Sequence, residues 1–128
     1  MVIDTSALVA IFLGEAEADR FDAATASAKT CQLPATCLLE ARMVLVTGRD
    51  ERTITDLDLW LSKAGVDNTP IDADLVDLAT QAWLDYGKWR HRATLNFADC
   101  LSYALAKRCG ESLLFKGNDF SRTDVQAV

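Results

Sequence analysis

Residues 1–8 read MVIDTSAL, a short apolar segment that ends in an acid and two hydroxyl residues. The Val-Ile pair is β-branched and is typical of a buried strand. Asp4 follows this strand directly, and Thr5 or Ser6 can cap the helix that the next residues predict. An acid at the carboxyl end of a strand lies where open α/β sheets bind ligands, but Asp4 alone is explained equally well as a helix cap.

Length and composition limit the class of protein. The chain has 128 residues, half of them hydrophobic, and this length predicts a single domain over residues 1–128. No stretch is apolar and long enough to cross a membrane, and the opening segment lacks the basic flank of a signal peptide, so we expect a cytoplasmic protein. The net charge of −6 argues against non-specific coating of nucleic acid, although it is compatible with a local basic patch. Four cysteines without zinc-ligand spacing are expected as buried thiols: Cys31, Cys37, Cys100 and Cys109.

Short apolar segments alternate with helical patterns over the rest of the chain. Periodicity and capping residues predict helices over residues 7–13, 15–28, 36–47, 53–64, 72–86 and 96–108. Further strands are expected at 31–33, 66–71, 112–115 and 124–128. We expect Thr36 to cap the third helix, which carries a broad apolar stripe made of Leu38, Leu39, Met43 and Val46. The alternation predicts an α/β fold whose short, mainly parallel sheet is covered by helices on both faces.

Four acids follow strand ends or lie near helix starts. Right-handed crossovers bring helix starts beside the carboxyl ends of parallel strands, so one rim of the sheet is expected to carry Asp4, Glu40, Asp99 and Asp119. Two carboxylates about 4 Å apart repel by roughly 4 kcal/mol at an effective dielectric near 20, so such a group must bind protons or cations. Oxygen donors without His or Cys suit Mg²⁺ or Mn²⁺, which can activate water and stabilise a phosphoryl transition state. A phosphodiester is therefore the favoured substrate, although each acid singly also fits a structural role.

Four motifs in order resemble the PIN-domain ribonucleases, and more narrowly the VapC toxins of bacterial type II toxin–antitoxin modules. They are MVIDTSAL at the start, LLEA around Glu40, LNFADCLSYALAK around Asp99, and LLFKGNDFSRTDV near the end. The resemblance covers nearly the whole chain. It implies a PIN-like three-layer α/β/α sandwich and a Mg²⁺- or Mn²⁺-dependent endoribonuclease, dimeric as a rule and neutralised by a cognate VapB-type antitoxin.

The resemblance also implies roles for single residues. The principal metal ligands would be Asp4 and Asp99, and Glu40 would complete the acidic triad. Asp119 matches a more variable fourth acid, which many relatives place two residues earlier, where this chain has Gly117. Thr5 or Ser6 would orient the carboxylates. The implied reaction is hydrolysis by a metal-activated water, which leaves a 5′-phosphate and a 3′-hydroxyl.

One dense basic cluster precedes the helix of Asp99. Its cations are Lys88, Arg90 and Arg92, with Trp89 and His91 between them. These cations can hold RNA phosphates while Trp89 stacks on a base. Alternatively, the segment is a solvated loop that balances the acids of the preceding helix, with Trp89 in the core. Lys116 can likewise reach a phosphate or only decorate a turn.

Two further questions concern the partner and the chemistry. Apolar residues beyond those that one buried helix face needs suggest where an antitoxin helix docks: Phe12, Leu13, Leu59 and Trp60. A PIN-like domain that binds metal or protein without cleaving RNA is the main alternative. A haloacid-dehalogenase-type phosphatase also opens with a strand and an aspartate, but Ser6 occupies the place of its second acid.

Overall fold

The computed structural model describes residues 1–128 and contains one parallel sheet flanked by helices. The strands are β1 (Val2–Ile3), β2 (Cys31–Pro34), β3 (Val66–Thr69) and β4 (Leu113–Leu114). The helices are α1 (Thr5–Leu13), α2 (Ala18–Ser27), α3 (Ala35–Gly48), α4 (Arg52–Ala64), α5 (Ala73–Tyr86) and α6 (Phe97–Cys109), followed by a 3₁₀ turn at Phe120–Arg122. The sheet order is β3-β2-β1-β4, and all of its pairs are parallel. The predicted α/β fold is confirmed.

The short β1 strand lies inside the sheet and contributes to a core on each face. Val2 pairs with Gln32 of β2 and Leu113 of β4. Because successive strand residues point to opposite faces, Ile3 packs in a core formed mainly by α1 to α4, and Val2 packs in a second core with α5 and α6. This arrangement is the three-layer sandwich that the resemblance implies, with Asp4 at the carboxyl end of an interior strand.

No helix of the structure has the length and apolar character needed to span a lipid bilayer.

Helices α5 and α6 begin where predicted, because the side chain of each capping residue accepts a hydrogen bond from the first turn. Asp72 accepts a hydrogen bond from the Leu75 backbone N–H (2.8 Å) and begins α5, and Asn96 begins α6. At α1 the cap is Asp4 itself. At α3 the strand runs through Pro34 directly into the helix, so Thr36 lies inside the first turn and does not cap it.

Three expectations about the chain differ from the structure. Residues 15–17 form a turn before α2, and the carboxylates of Glu15 and Glu17 contact Lys116. The expected strand at 124–128 is reduced to one parallel bridge, between Leu113 and Ala127. All four cysteines are free, but Cys109 is exposed at the end of α6.

Candidate active site

Asp4 is almost fully buried, with 3% of its surface exposed. Its Oδ2 accepts hydrogen bonds from the backbone N–H of Ser6 (2.9 Å) and from the Ser6 hydroxyl (2.6 Å). Its Oδ1 accepts a hydrogen bond from the Ser102 hydroxyl (2.7 Å), which belongs to α6. The helix-cap interpretation of Asp4 is therefore correct but incomplete, because a hydroxyl from a different element also holds this carboxylate in place.

Ser102 and Cys37 connect the three elements that carry Asp4, Glu40 and Asp99. The Ser102 oxygen lies 3.1 Å from the Cys37 sulfur, which joins α6 to α3 beneath the rim. Residues three apart share one face of a helix, and Cys37 stands three residues before Glu40 as Ser102 stands three after Asp99. The buried contact therefore joins the faces of α3 and α6 that carry Glu40 and Asp99. Sequence reasoning missed Ser102, and the only available signal was a serine within the apolar pattern of its helix.

The Cys37 thiol is a structural group. Burial, followed by the nearby charge of Asp4, raises its pKa to about 12. The thiolate is the nucleophilic form of cysteine, so Cys37 does not supply a nucleophile. The Thr5 hydroxyl donates to the backbone carbonyl of Cys37 (3.4 Å). Thr5 therefore supports α3, whereas Ser6 is the hydroxyl residue that contacts Asp4.

Asp99 lies in the first turn of α6 and forms a capping box with Asn96. The Asn96 side chain accepts from the Asp99 backbone N–H (3.0 Å), and Asp99 Oδ2 accepts from the Asn96 backbone N–H (2.7 Å). Burial is the largest cause that raises the pKa of Asp99 to about 7, and repulsion from other carboxylates adds to it, although the Asn96 bond acts against them. The repelling carboxylates are those of Asp4, Asp119 and Glu40.

The four predicted acids thus lie around one rim. Glu40 is half-buried on α3, and Asp119 is exposed just before the 3₁₀ turn. The Ser6 hydroxyl accepts a hydrogen bond from the Lys116 backbone N–H (3.0 Å), which ties the segment after β4 to Asp4. As the side chains stand, no three His, Cys, Asp or Glu residues form a cluster tight enough to hold an ion.

The donor chemistry of this rim fits a hard divalent cation. All of its potential ligands are carboxylate oxygens, the type that Mg²⁺ and Mn²⁺ prefer. The acids repel one another at Asp99, so a positive charge placed among them would be stabilised. Histidine takes no part, because His91 accepts from the Ala93 backbone N–H (3.1 Å) and its ring packs edge-on against Tyr86.

The basic segment forms a compact loop between α5 and α6. Trp89 is 89% exposed, so the alternative that places it in the core is wrong. Lys88 Nζ lies 5.0 Å from the centroid of the Trp89 ring, and the Arg90 guanidinium lies 4.8 Å from that of Trp83. Arg92 is exposed on the same loop. All three predicted RNA-contacting cations are accessible to solvent.

Lys116 has acidic partners of its own. Its ammonium group contacts Glu15 at 2.6 Å and Glu17 at 3.2 Å. These partners raise the pKa of Lys116. The structural alternative therefore describes this residue better than a phosphate contact does.

The predicted antitoxin surface is partly covered. Phe12 and Trp60 pack against each other edge-to-face, with ring centroids 6.0 Å apart, and both border the core. Leu13 and Leu59 are exposed, by 37% and 54%. The side chains of these two leucines therefore remain exposed, while the two aromatic side chains belong largely to the fold.

The fold and rim together define a class: α/β domains that gather carboxylates at the carboxyl end of a parallel sheet. Residues 1–126 match the family described as PIN domain, and the chain belongs to that family.

Relatives with the same extent support this placement. The chain is 47% identical to Ribonuclease VapC30 of Mycobacterium tuberculosis over 128 residues, which cover 100% of this chain and 98% of the relative. The crystal structure of Mycobacterium tuberculosis VapC20, described as a sarcin-ricin loop cleaving toxin, superposes with a TM-score of 0.80 at 22% identity, over 99% of this chain and 97% of that one. A toxin-antitoxin complex from Klebsiella pneumoniae superposes with a TM-score of 0.73 at 19% identity, over 99% and 95%. Within the PIN domain family, the sequence thus groups with the VapC ribonucleases.

Proposed function

We propose that this chain is the toxin of a VapBC-type toxin–antitoxin module and cleaves RNA as a metal-dependent endoribonuclease. Membership of the PIN domain family and full-length similarity to a VapC ribonuclease support RNA cleavage. The single observation that supports the site assignment is the buried Asp4 carboxylate at the end of an interior strand, which a hydrogen bond from Ser102 (2.7 Å) joins to the helix of Asp99. The phosphatase alternative is not retained, because the chain belongs to a different family.

The four acids have different roles in binding the cation. Asp4, Glu40 and Asp99 hold Mg²⁺ or Mn²⁺, and Asp119 contributes a fourth negative charge from the turn after β4. When bound, the ion activates water and neutralises charge on the phosphodiester. Ser6 and Ser102 fix the orientation of the Asp4 carboxylate.

The cationic loop and the exposed apolar surface serve different partners. Lys88, Arg90 and Arg92 hold RNA phosphates, and the accessibility of all three supports this role. The apolar surface around Leu13 and Leu59 receives a helix of the VapB-type antitoxin. The active form is a homodimer, as the resemblance implies.

The central test is divalent-dependent RNA cleavage by the wild type and by Asp4→Asn and Asp99→Asn variants. We expect both variants to fold and to lose at least a hundredfold in cleavage rate, because each removes a ligand charge. Asp19→Asn, which changes an exposed acid in the first turn of α2, is the matched control and should cleave normally. Undiminished cleavage in both site variants would contradict the assignment. A wild type that binds Mn²⁺ but never cleaves RNA would instead indicate a silent PIN domain.

Charge reversal separates the two partner surfaces. Lys88→Glu, Arg90→Glu and Arg92→Glu should weaken RNA binding and flatten its dependence on salt, since phosphate contacts release counterions. The affinity for the antitoxin, measured by calorimetry, should stay unchanged. Equal losses for both partners would show that the loop does not form a separate RNA surface.

A further inference from the structure

A groove with a volume of about 590 Å³ lies between α5, α6 and the loop that joins them. Its walls are mainly apolar and aromatic. Trp89 and Phe97 are 89% and 76% exposed, and Trp83 is 42% exposed. The rings of Trp89 and Phe97 are too exposed to contribute to the core, so they are available to a ligand.

The charge of the groove is opposite to that of the molecule. The chain has a net charge of −6, yet no acid lines the groove, and Lys88 is its only charged lining residue. Arg90 adds a second cation at the edge, stacked on Trp83. An occupant with flat apolar faces that is attached to an anion matches this surface in shape and in charge.

The loop holds Trp89 in place before any ligand arrives. Its ends are joined by hydrogen bonds from the Lys88 backbone N–H to the Leu95 carbonyl and from the Leu95 backbone N–H to the Tyr86 carbonyl, both 3.0 Å. Trp89 has a φ of 71°, a left-handed conformation that costs free energy for a bulky residue. Such a conformation persists only where the surrounding contacts impose it, so the exposed ring is presented by a closed loop.

The groove also adjoins the candidate active site. Asn96 lines it, and the backbone N–H of the same residue holds the Asp99 carboxylate at 2.7 Å. Phe97 and Cys100 line the groove from the same first turns of α6. Asp99 lies in the first turn of α6 beside Phe97 and Cys100 in sequence, so the groove adjoins the end of α6 that carries this acid.

We propose that this groove binds an unpaired nucleobase of the RNA, next to the cleaved phosphodiester, by stacking it against Trp89 and Phe97. The assignment rests on the proposed ribonuclease function and names the surface that holds a base beside the reacting phosphodiester. A base within a duplex is stacked on both faces and cannot present a free face to the groove. Lys88 lies where it contacts the adjoining phosphate.

The test measures RNA binding without cleavage, in the presence of EDTA. The probe is a labelled random-sequence RNA of about 12 nucleotides, a length typical of single-strand sites, alongside a blunt duplex of similar length. Trp89→Ala and Phe97→Ala should each weaken single-strand binding about tenfold and leave duplex binding unchanged. Trp89→Phe keeps an aromatic ring and should retain affinity within about threefold. Leu78→Ala, which alters an exposed apolar residue of α5 outside the groove, is the matched control.

Several outcomes would overturn the assignment of the groove to a nucleobase. Unchanged single-strand affinity in both alanine variants, or an equal loss for duplex and single strand, would show that no base stacks there. A shift from dimer to monomer in either variant, measured by sedimentation velocity, would assign the groove to a second copy of the chain. Cleavage is scored separately: a wild type that cleaves RNA while Trp89→Ala binds normally rejects the groove alone. A wild type that binds single strands through Trp89 but does not cleave rejects the ribonuclease proposal alone.

Discussion

Asp99 makes the stability of the metal-free protein depend on pH. Burial and the neighbouring carboxylates raise its pKa from the ordinary 3.8 to about 7, so folding favours the protonated form. The resulting stabilisation is complete below about pH 4 and is lost as the pH rises through about 7. We therefore expect the free energy of unfolding to fall between pH 5 and pH 8, by at most about 3 kcal/mol, in urea titrations with EDTA.

The Asp99→Asn variant tests whether Asp99 causes this pH dependence of the free energy of unfolding. It cannot ionise, so its unfolding free energy should change much less between pH 5 and pH 8, and it should exceed that of the wild type at pH 8. Asp19→Asn, which changes an exposed helix-start acid, should keep the wild-type slope. An identical slope in wild type and Asp99→Asn would mean that another group titrates.

Ser102 is a positioning residue, because its hydroxyl donates a hydrogen bond that orients the Asp4 carboxylate. Ser102→Ala removes the hydroxyl that donates to buried Asp4 Oδ1 and that touches Cys37. Loss of a buried partner should lower the free energy of unfolding by about 1–3 kcal/mol. It should also weaken Mn²⁺ binding about tenfold or more, as groups that orient metal ligands commonly do. Urea unfolding and isothermal titration calorimetry measure the two effects.

A serine with only a local hydrogen bond is the control. The Ser27 hydroxyl donates to the Ala24 carbonyl at the exposed end of α2, a helix that carries none of the four predicted acids. Ser27→Ala should leave Mn²⁺ affinity unchanged. If Ser102→Ala also retained full Mn²⁺ affinity, the hydroxyl would be a packing feature only.

At the scale of elements, the junction of α5 with the basic loop allows no side chain at Gly87. A Cβ there would lie 2.4 Å from Trp83 Cδ1 and 2.4 Å from the Trp83 carbonyl oxygen. The second contact is with backbone, so rotation of the indole cannot relieve it. Gly87→Ala should therefore displace the loop and lower the free energy of unfolding by about 1–3 kcal/mol. Gly48→Ala, whose Cβ would meet only Leu13 Cδ2 at 3.9 Å, should be close to neutral. Equal effects of the two substitutions would contradict this account.

Features of a helix that depend on neighbouring residues could be predicted from the sequence, whereas the side of the helix that faces the core could not. Asn96 as the cap of α6 was predicted, because its hydrogen bonds are to residues two and three positions away. The predicted apolar stripe of α3 does not face the core throughout, because Leu39 and Met43 are 60% and 63% exposed. The residues that face the core there include two small ones, Cys37 and Ala41, beside Leu38 and Leu45. Small residues let α3 approach its neighbours closely, and apolar periodicity alone does not distinguish that face from a wider apolar one.

At the scale of the whole molecule, parallel topology is what made the rim predictable. Asp4 and Asp119 are far apart in sequence, yet both follow strands that pair in parallel, β1 and β4. The rule that brings strand ends and helix starts to one edge requires no knowledge of side-chain packing. The contact of Cys37 with Ser102, across 65 residues, depends on how two helices pack and leaves no local signal. The sequence therefore predicts the edge of the sheet at which these acids are expected, but not the helix packing beneath it.

The fold itself should not need the cation that the rim attracts. Both apolar cores pack against the sheet, and hydrogen bonds from Ser6 and Ser102 hold Asp4 without a cation, so chelation by EDTA should leave the far-UV circular dichroism unchanged. Mg²⁺ at a hundred times its Kd should stabilise the folded chain by about 2.7 kcal/mol, which raises Tm by roughly 10 °C for a chain of this size. K⁺ at equal ionic strength should not reproduce the rise, and Asp4→Asn and Asp99→Asn should each remove most of it. Unfolding by EDTA would mean that the ion is part of the fold, and an equal Mg²⁺ effect in both variants would place the ion away from this rim.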